Sequence, residues 1–153
     1  MLTVYIDADA CPVKDEIYKV AGRYGLRVVV VANAALRVPA DPLVELVVRR
    51  GFGAADDYIA EVAGPGDVVV TADIPLAGRS LEKGARVLDP RGQAITDNEI
   101  GRMLGMRDLM EELRQGGTVS GGPPPMGAKD RSRFLSKLDE LVTAVRRAHP
   151  PAG

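Results

Sequence analysis

The 153-residue chain holds one cysteine, one histidine and no tryptophan, and each scarcity closes off a class of chemistry. Cys11 alone forms neither an internal disulfide nor a multi-cysteine zinc site. His149 stands by itself in a Pro-rich C-terminal stretch, so histidine-based catalysis has no partner residues to draw on. Aromatic residues make up only 4% of the chain, which disfavours a surface that stacks bases on exposed rings and leaves charge as the main means of meeting a nucleic acid. Long apolar runs are also missing. The longest, residues 28–32, has the length of a strand and falls far short of the about 18 residues of a membrane helix. No basic, apolar leader precedes the first acidic residues, so the protein is expected in the cytoplasm and away from membranes. A net charge of −1 excludes a strongly basic nucleic-acid binder and an acidic disordered tail.

What remains is a chain that is 46% apolar, enough to bury roughly 68–70% of its unfolded surface as one domain. That domain is expected over residues 1–149, with 150–153 a short flexible tail. Apolar strands are predicted at 2–6, 26–32, 68–71 and 85–88, the last closed by Pro90-Arg91-Gly92. Helices are predicted at 12–24, with Gly25 as the stop; at 42–51, capped by Asp41; at 56–63, capped by Asp56; and after Pro75 to about residue 83. Thr96 and Glu99 form a capping box for a helical region reaching about residue 114. A loop of five Gly and three Pro follows over 116–127, read as a stiff edge or lid of the site because consecutive prolines extend a segment. A last helix at about 128–147 carries Phe134, Leu135, Leu138, Leu141, Val142 and Val145 at helical spacing. Alternating strands and helices, the strands apolar on both faces, predict a three-layer α/β domain. Its central, mainly parallel sheet of about four or five strands is flanked by helices.

In an open α/β sheet ligands bind beyond the carboxyl ends of the strands, and here those ends are acidic. The first strand runs into Asp7-Ala8-Asp9-Ala10-Cys11-Pro12, the third into Thr71-Ala72-Asp73-Ile74-Pro75. If the two strands are neighbours, Asp7 and Asp73 come close together. Two like charges at about 4 Å repel by about 4 kcal/mol at an effective dielectric near 20, a penalty that a divalent cation offsets. Oxygen ligands without a Cys or His cluster suit Mg²⁺ or Mn²⁺. Asp56, Asp57 and Asp97 are candidates to complete the group, with Asp57 preferred to Asp56 because Asp56 better fits a helix cap. Cys11 sits before a helix N-terminus, yet no base is at hand to take its proton, and a packing role is expected.

These segments resemble the uncharacterised bacterial YaiI/YqxD family. The resemblance is carried by Asp7 to Lys14, by Thr71 to Ala77, and by Gly121-Gly122-Pro123-Pro124-Pro125 followed by Asp130-Arg131 and Phe134-Leu135, in that order along almost the whole chain. That family is grouped with the PIN-like superfamily, which includes metal-dependent ribonucleases and flap-type nucleases. The resemblance implies a PIN-like domain with an acid after the first strand (Asp7), acids at the start of a middle helix (Asp56, Asp57) and a Thr-x-Asp after a later strand (Thr71, Asp73). By the same implication the protein is a Mg²⁺- or Mn²⁺-dependent nuclease that hydrolyses phosphodiester bonds, in RNA in preference to DNA. Asp9, Asp57 and Asp97 would then support the ion held by Asp7 and Asp73, and Lys14, one turn into the first helix, would be a phosphate contact with Lys129, Arg131 and Arg133 at the start of the last helix. Two other readings stay open. A non-catalytic nucleic-acid-binding or regulatory module would keep the fold without turnover, and a haloacid-dehalogenase-like phosphatase would use Asp7 as nucleophile and Asp9 as acid and base.

Overall fold

The computed structural model describes residues 2–101 and 126–149; the loop at 116–125, the helical region beyond 101 and the tail at 150–153 lie outside the described residues. β1 (Thr3–Asp7), β2 (Arg27–Ala32), β3 (Val44–Val48), β4 (Val68–Val70), β5 (Arg86–Leu88) and β6 (Ala94–Ile95) form one sheet in the order β3-β2-β1-β4-β5-β6. All neighbours are parallel except β5 and β6. The architecture is the expected α/β one, with six strands.

Strand periodicity sends alternate residues to two cores. Val4, Ile6, Val28, Val30, Val68 and Val70 face α1 (Lys14–Tyr24) and α4 (Ala128–Ala148). Tyr5, Val29, Val31, Val69 and Val87 face α2 (Ala54–Val62) and α3 (Ile74–Glu82). Both faces of the parallel sheet are thus covered, which is why its strands read as unbroken apolar runs. Among the described residues, no helix is long and apolar enough to cross a membrane.

Besides the added strand β6, two features depart from the sequence expectation. Residues 42–51 do not form a helix: Asp41 accepts the Leu43 N–H at 2.8 Å in a local turn, and β3 follows, pairing with β2 from Val28↔Val44 to Ala32↔Val48. Three valines in five residues favour the pleated surface, where a branched side chain loses less freedom than on a helix. Moreover α2 starts at Ala54, behind Gly53, rather than at Asp56, so Asp56 is no cap and its carboxyl is left for other use.

The hairpin into β6 turns on Asp89, whose Oδ1 accepts the N–H groups of Arg91 and Gln93, each at 2.9 Å. Gly92 in this turn has φ 89°, and a Cβ there would lie 3.2 Å from the Phe134 Cα of α4. Backbone therefore meets backbone at a point where only glycine fits.

α4 is fastened across α1 by polar contacts as well as by the apolar core. Asp139 receives the Tyr24 hydroxyl at 2.7 Å and pairs with Arg23. Arg131 donates to the Pro12 carbonyl at 2.7 Å and lies 3.4 Å from Glu16 Oε1. The other Glu16 oxygen is buried and has no hydrogen-bond partner among the described residues, so Glu16 depends on Arg131. Arg131→Ala is expected to cost about 1 kcal/mol, and to lower the melting temperature by about 2–4 °C in a domain of this size. Differential scanning calorimetry checks this, and an unchanged melting temperature would show that the contact contributes nothing.

Candidate active site

The strand order places a topological switch between β1 and β4. From β1 the sheet grows one way through β2 and β3, and from β4 the other way through β5 and β6. Their carboxyl ends part there and leave a crevice, the usual ligand position in such sheets. The crevice is an open cleft of about 490 Å³ whose lining includes Asp7, Asp9, Asn33, Phe52, Asp56 and Asp73.

Pairing of Ile6 with Val70 carries the chain one residue further to Asp7 opposite Thr71. Asp7 is buried, with 9% of its surface exposed, and its Oδ2 accepts the Thr71 hydroxyl at 2.8 Å. The same Thr71 oxygen accepts the Asp73 N–H at 3.0 Å. One hydroxyl thereby ties the ends of two strands together. Asp73 caps α3, its Oδ1 accepting the Leu76 N–H at 2.9 Å. Asp9 is anchored to the end of β2, where the Asn33 N–H reaches both its oxygens at 3.1 and 3.2 Å. Asp56 enters from the first turn of α2.

Electrostatics mark the cluster as strained. Burial pushes the Asp7 carboxyl above its ordinary value, the Thr71 hydrogen bond opposes this, and the charges of Asp73 and Asp9 push it further up. Asp56 is raised to about 6, first by burial and then by Asp7, Asp73, Asp57 and Asp9. Acids perturbed by one another in a cleft mark a candidate functional site. By contrast Asp67, at the opposite end of β4, accepts the N–H groups of Thr3 and Gly64 and ties the sheet together.

Four expected residues therefore converge, Asp7, Asp9, Thr71 and Asp73, and Asp56 joins them in place of Asp57. Asp57 is exposed on the other side of α2 and pairs with Arg79 at 2.8 Å. Asp97 is exposed and does not line the cleft. Lys14 donates to the Cys11 carbonyl at 2.9 Å. Lys129 is exposed, Arg131 is held at Pro12, and Arg133 lies 3.4 Å from Asp130; none of the three lines the cleft. Cys11 is buried, and burial pushes its thiol up, the opposite of what a nucleophilic thiolate needs. Asn33 and Phe52 were not anticipated. The only sequence signal for Phe52 is its setting between two glycines just before a helix.

The donor set is oxygen alone, the chemistry of Mg²⁺ and Mn²⁺. Among the described residues, no three acidic, histidine or cysteine side chains stand together closely enough to hold an ion as a ready-made group. Asp7 Oδ1 and Asp73 Oδ2 have no partner among the described residues. That suits an ion bound by one or two carboxylates and otherwise by water, the usual habit of Mg²⁺. The strand order matches that of dinucleotide-binding sheets, but their first turn is Gly-rich and meets a pyrophosphate. Here the turn carries Asp7 and Asp9, which repel one.

Over residues 5–144 the sequence matches the uncharacterised YaiI/YqxD family. The chain belongs to that family. A UPF0178 protein of Paramagnetospirillum magneticum is 57% identical over 151 residues, covering 98% of this chain and 100% of the relative. One from Rhodopseudomonas palustris is 53% identical over 150 residues, covering 97% of each. Another, from Parvibaculum lavamentivorans, is 54% identical over 152 residues, covering 99% of this chain and 100% of its own. No solved structure matches the chain. The match to the YaiI/YqxD family runs from within β1 through most of α4, and so takes in every cleft residue.

Proposed function

We propose that this YaiI/YqxD protein is a divalent-metal-dependent nuclease that hydrolyses phosphodiester bonds, in RNA rather than DNA, in the cytoplasm. The observation that carries the reading is the pair Asp7 and Asp73, delivered by non-consecutive strands to one crevice and linked through the Thr71 hydroxyl. The grouping of the YaiI/YqxD family with the PIN-like superfamily, which includes metal-dependent ribonucleases, supports the same chemistry.

Asp7 and Asp73 would hold a Mg²⁺ or Mn²⁺, with Asp9 and Asp56 reached through water. Bound there, the ion supplies a more acidic water and neutralises charge on the phosphate. The chain's own groups do the rest. Thr71 fixes the Asp7 carboxylate through Oδ2 and leaves Oδ1 without a partner among the described residues, and the α3 cap fixes Asp73. Asp56, in the first turn of α2 and lining the same cleft, would accept a proton from water, as a general base without histidine must. Asp57, paired with Arg79, and Asp97 take no part.

Mn²⁺ titration of the purified protein tests the reading. Asp7→Asn is expected to weaken Mn²⁺ binding by about tenfold or more, because one of few direct ligands loses its charge, and cleavage of labelled RNA is expected only with the ion present. Equal Mn²⁺ affinity in wild type and Asp7→Asn, or no turnover of RNA or DNA by the wild type, overturns it.

A further inference from the structure

We infer that Phe52, at the rim of the acidic cleft, is a base-stacking platform that selects single-stranded over double-stranded polynucleotide. This rests on reading the cleft as a site of phosphodiester cleavage, and it adds which form of substrate enters.

Phe52 is 108% exposed, so no part of the described chain covers its ring, yet it lines the cleft that holds Asp7, Asp56 and Asp73. The flanking backbone keeps it there. Gly51 and Gly53 take φ 111° and 72°, a region that side chains other than glycine rarely adopt. The Ala54 N–H bonds back to the Gly51 carbonyl at 3.2 Å. Phe52 thus stands at the apex of a closed turn that opens directly into α2.

A bare ring at the mouth of a polar cleft needs a flat, apolar ligand face. A protein partner would need a contiguous apolar patch, and the other large exposed apolar residues, Leu43 and Val62, do not line the cleft. A nucleobase supplies one flat face at a time, and stacking on an aromatic side chain tolerates any base. Charge agrees with this. Arg49 and Arg50 immediately precede the turn; Arg49 lies over the Tyr58 ring at 4.7 Å, and Arg50 is exposed with no ion pair among the described residues. Both stand within three residues of Phe52 in the chain, so positive charge is close by for the phosphates of a bound strand. In a duplex the base faces are already covered by their neighbours, so the ring meets only backbone and gives no gain.

Fluorescence polarisation tests this with labelled 12-nucleotide oligoadenine RNA and with an RNA duplex of equal length, in EDTA so that the strand stays whole. The full-length wild type, Phe52→Ala and Phe52→Trp are compared, and wild-type Mn²⁺-dependent cleavage is measured in the same preparation. Phe52→Ala is expected to bind the single strand about tenfold more weakly, equivalent to about 1.4 kcal/mol, Phe52→Trp to restore binding, and duplex affinity to stay level. Equal single-strand affinity in all three proteins overturns the platform, and if wild-type cleavage persists the nuclease reading survives it. Phe52-dependent binding without cleavage has the opposite result, keeping the platform and sinking the nuclease reading. A wild type that binds neither RNA overturns the platform, as does self-association lost in Phe52→Ala with strand affinity unchanged, since the ring then serves a second copy.

Discussion

Asp73→Asn is expected to reduce metal-dependent hydrolysis by about a thousandfold or more, corresponding to the several kcal/mol of charge stabilisation a bound ion contributes, while leaving the fold intact. The two halves of that result have separate causes. Asp73 accepts the Leu76 N–H as the cap of α3, and Asn caps a helix about as well as Asp because its side-chain oxygen accepts the same bond. What Asn lacks is the charge. Asp73→Ala removes cap and charge together, so it should lose activity to the same extent and also about 1 kcal/mol of stability, or about 2–4 °C in melting temperature. Single-turnover cleavage of labelled RNA with Mn²⁺, alongside thermal melts of both variants, separates the roles. Full activity in Asp73→Asn would remove Asp73 from the chemistry and leave it a cap.

Asp56→Asn is expected to stabilise the metal-free protein above pH 6 and to lower its activity. A carboxyl raised to about 6 from 3.8 binds its proton more tightly when folded than when unfolded. Below about pH 4 both states are protonated and the site contributes nothing. As pH rises towards 6 the unfolded chain ionises first, stability falls, and above 6 the full penalty is present. At full strength that penalty is about 3 kcal/mol, but Asp56 is only half-buried, and screening by solvent reduces it to about 1–2 kcal/mol. Melting of Asp56→Asn should therefore exceed wild type by about 2–8 °C at pH 7.5, with the gap closing near pH 4. A gap between the two proteins that is constant across this range would show that Asp56 is not held up by its neighbours.

The central pair was legible because its signals were independent. An apolar run ending in Asp is uncommon, two of them invite comparison, and their adjacency needed only that β4 return beside β1, as it does. β3 was not legible. Leu43, Val44, Leu46, Val47 and Val48 satisfy a helical spacing as well as a strand, and the choice falls to the open edge of β2, a long-range partner that no local pattern encodes. Asp56 and Asp57 were exchanged for a similar reason. With α2 opening behind Gly53, Asp56 is an interior helical position instead of a cap, and its side chain turns to the cleft while Asp57 turns to Arg79. β6, two residues long, is shorter than any periodicity can register. Phe52 escaped because composition speaks of averages: few rings in the chain says nothing about where one of them stands.

The fastening of α4 over α1 bears on how the protein is made. Ile6, Val28 and Val30 emerge first in synthesis, yet their cover includes Phe134, Leu138 and Val142. More than a hundred residues separate Pro12 from the Arg131 that grips it. The share of that face which α4 covers beside α1 therefore stays wet until the residues beyond 128 have left the ribosome, and contacts this distant in sequence close slowly. A chain halted before residue 128 would carry a bare strip of valine and isoleucine, the kind of surface that chaperones hold and that aggregates when they do not.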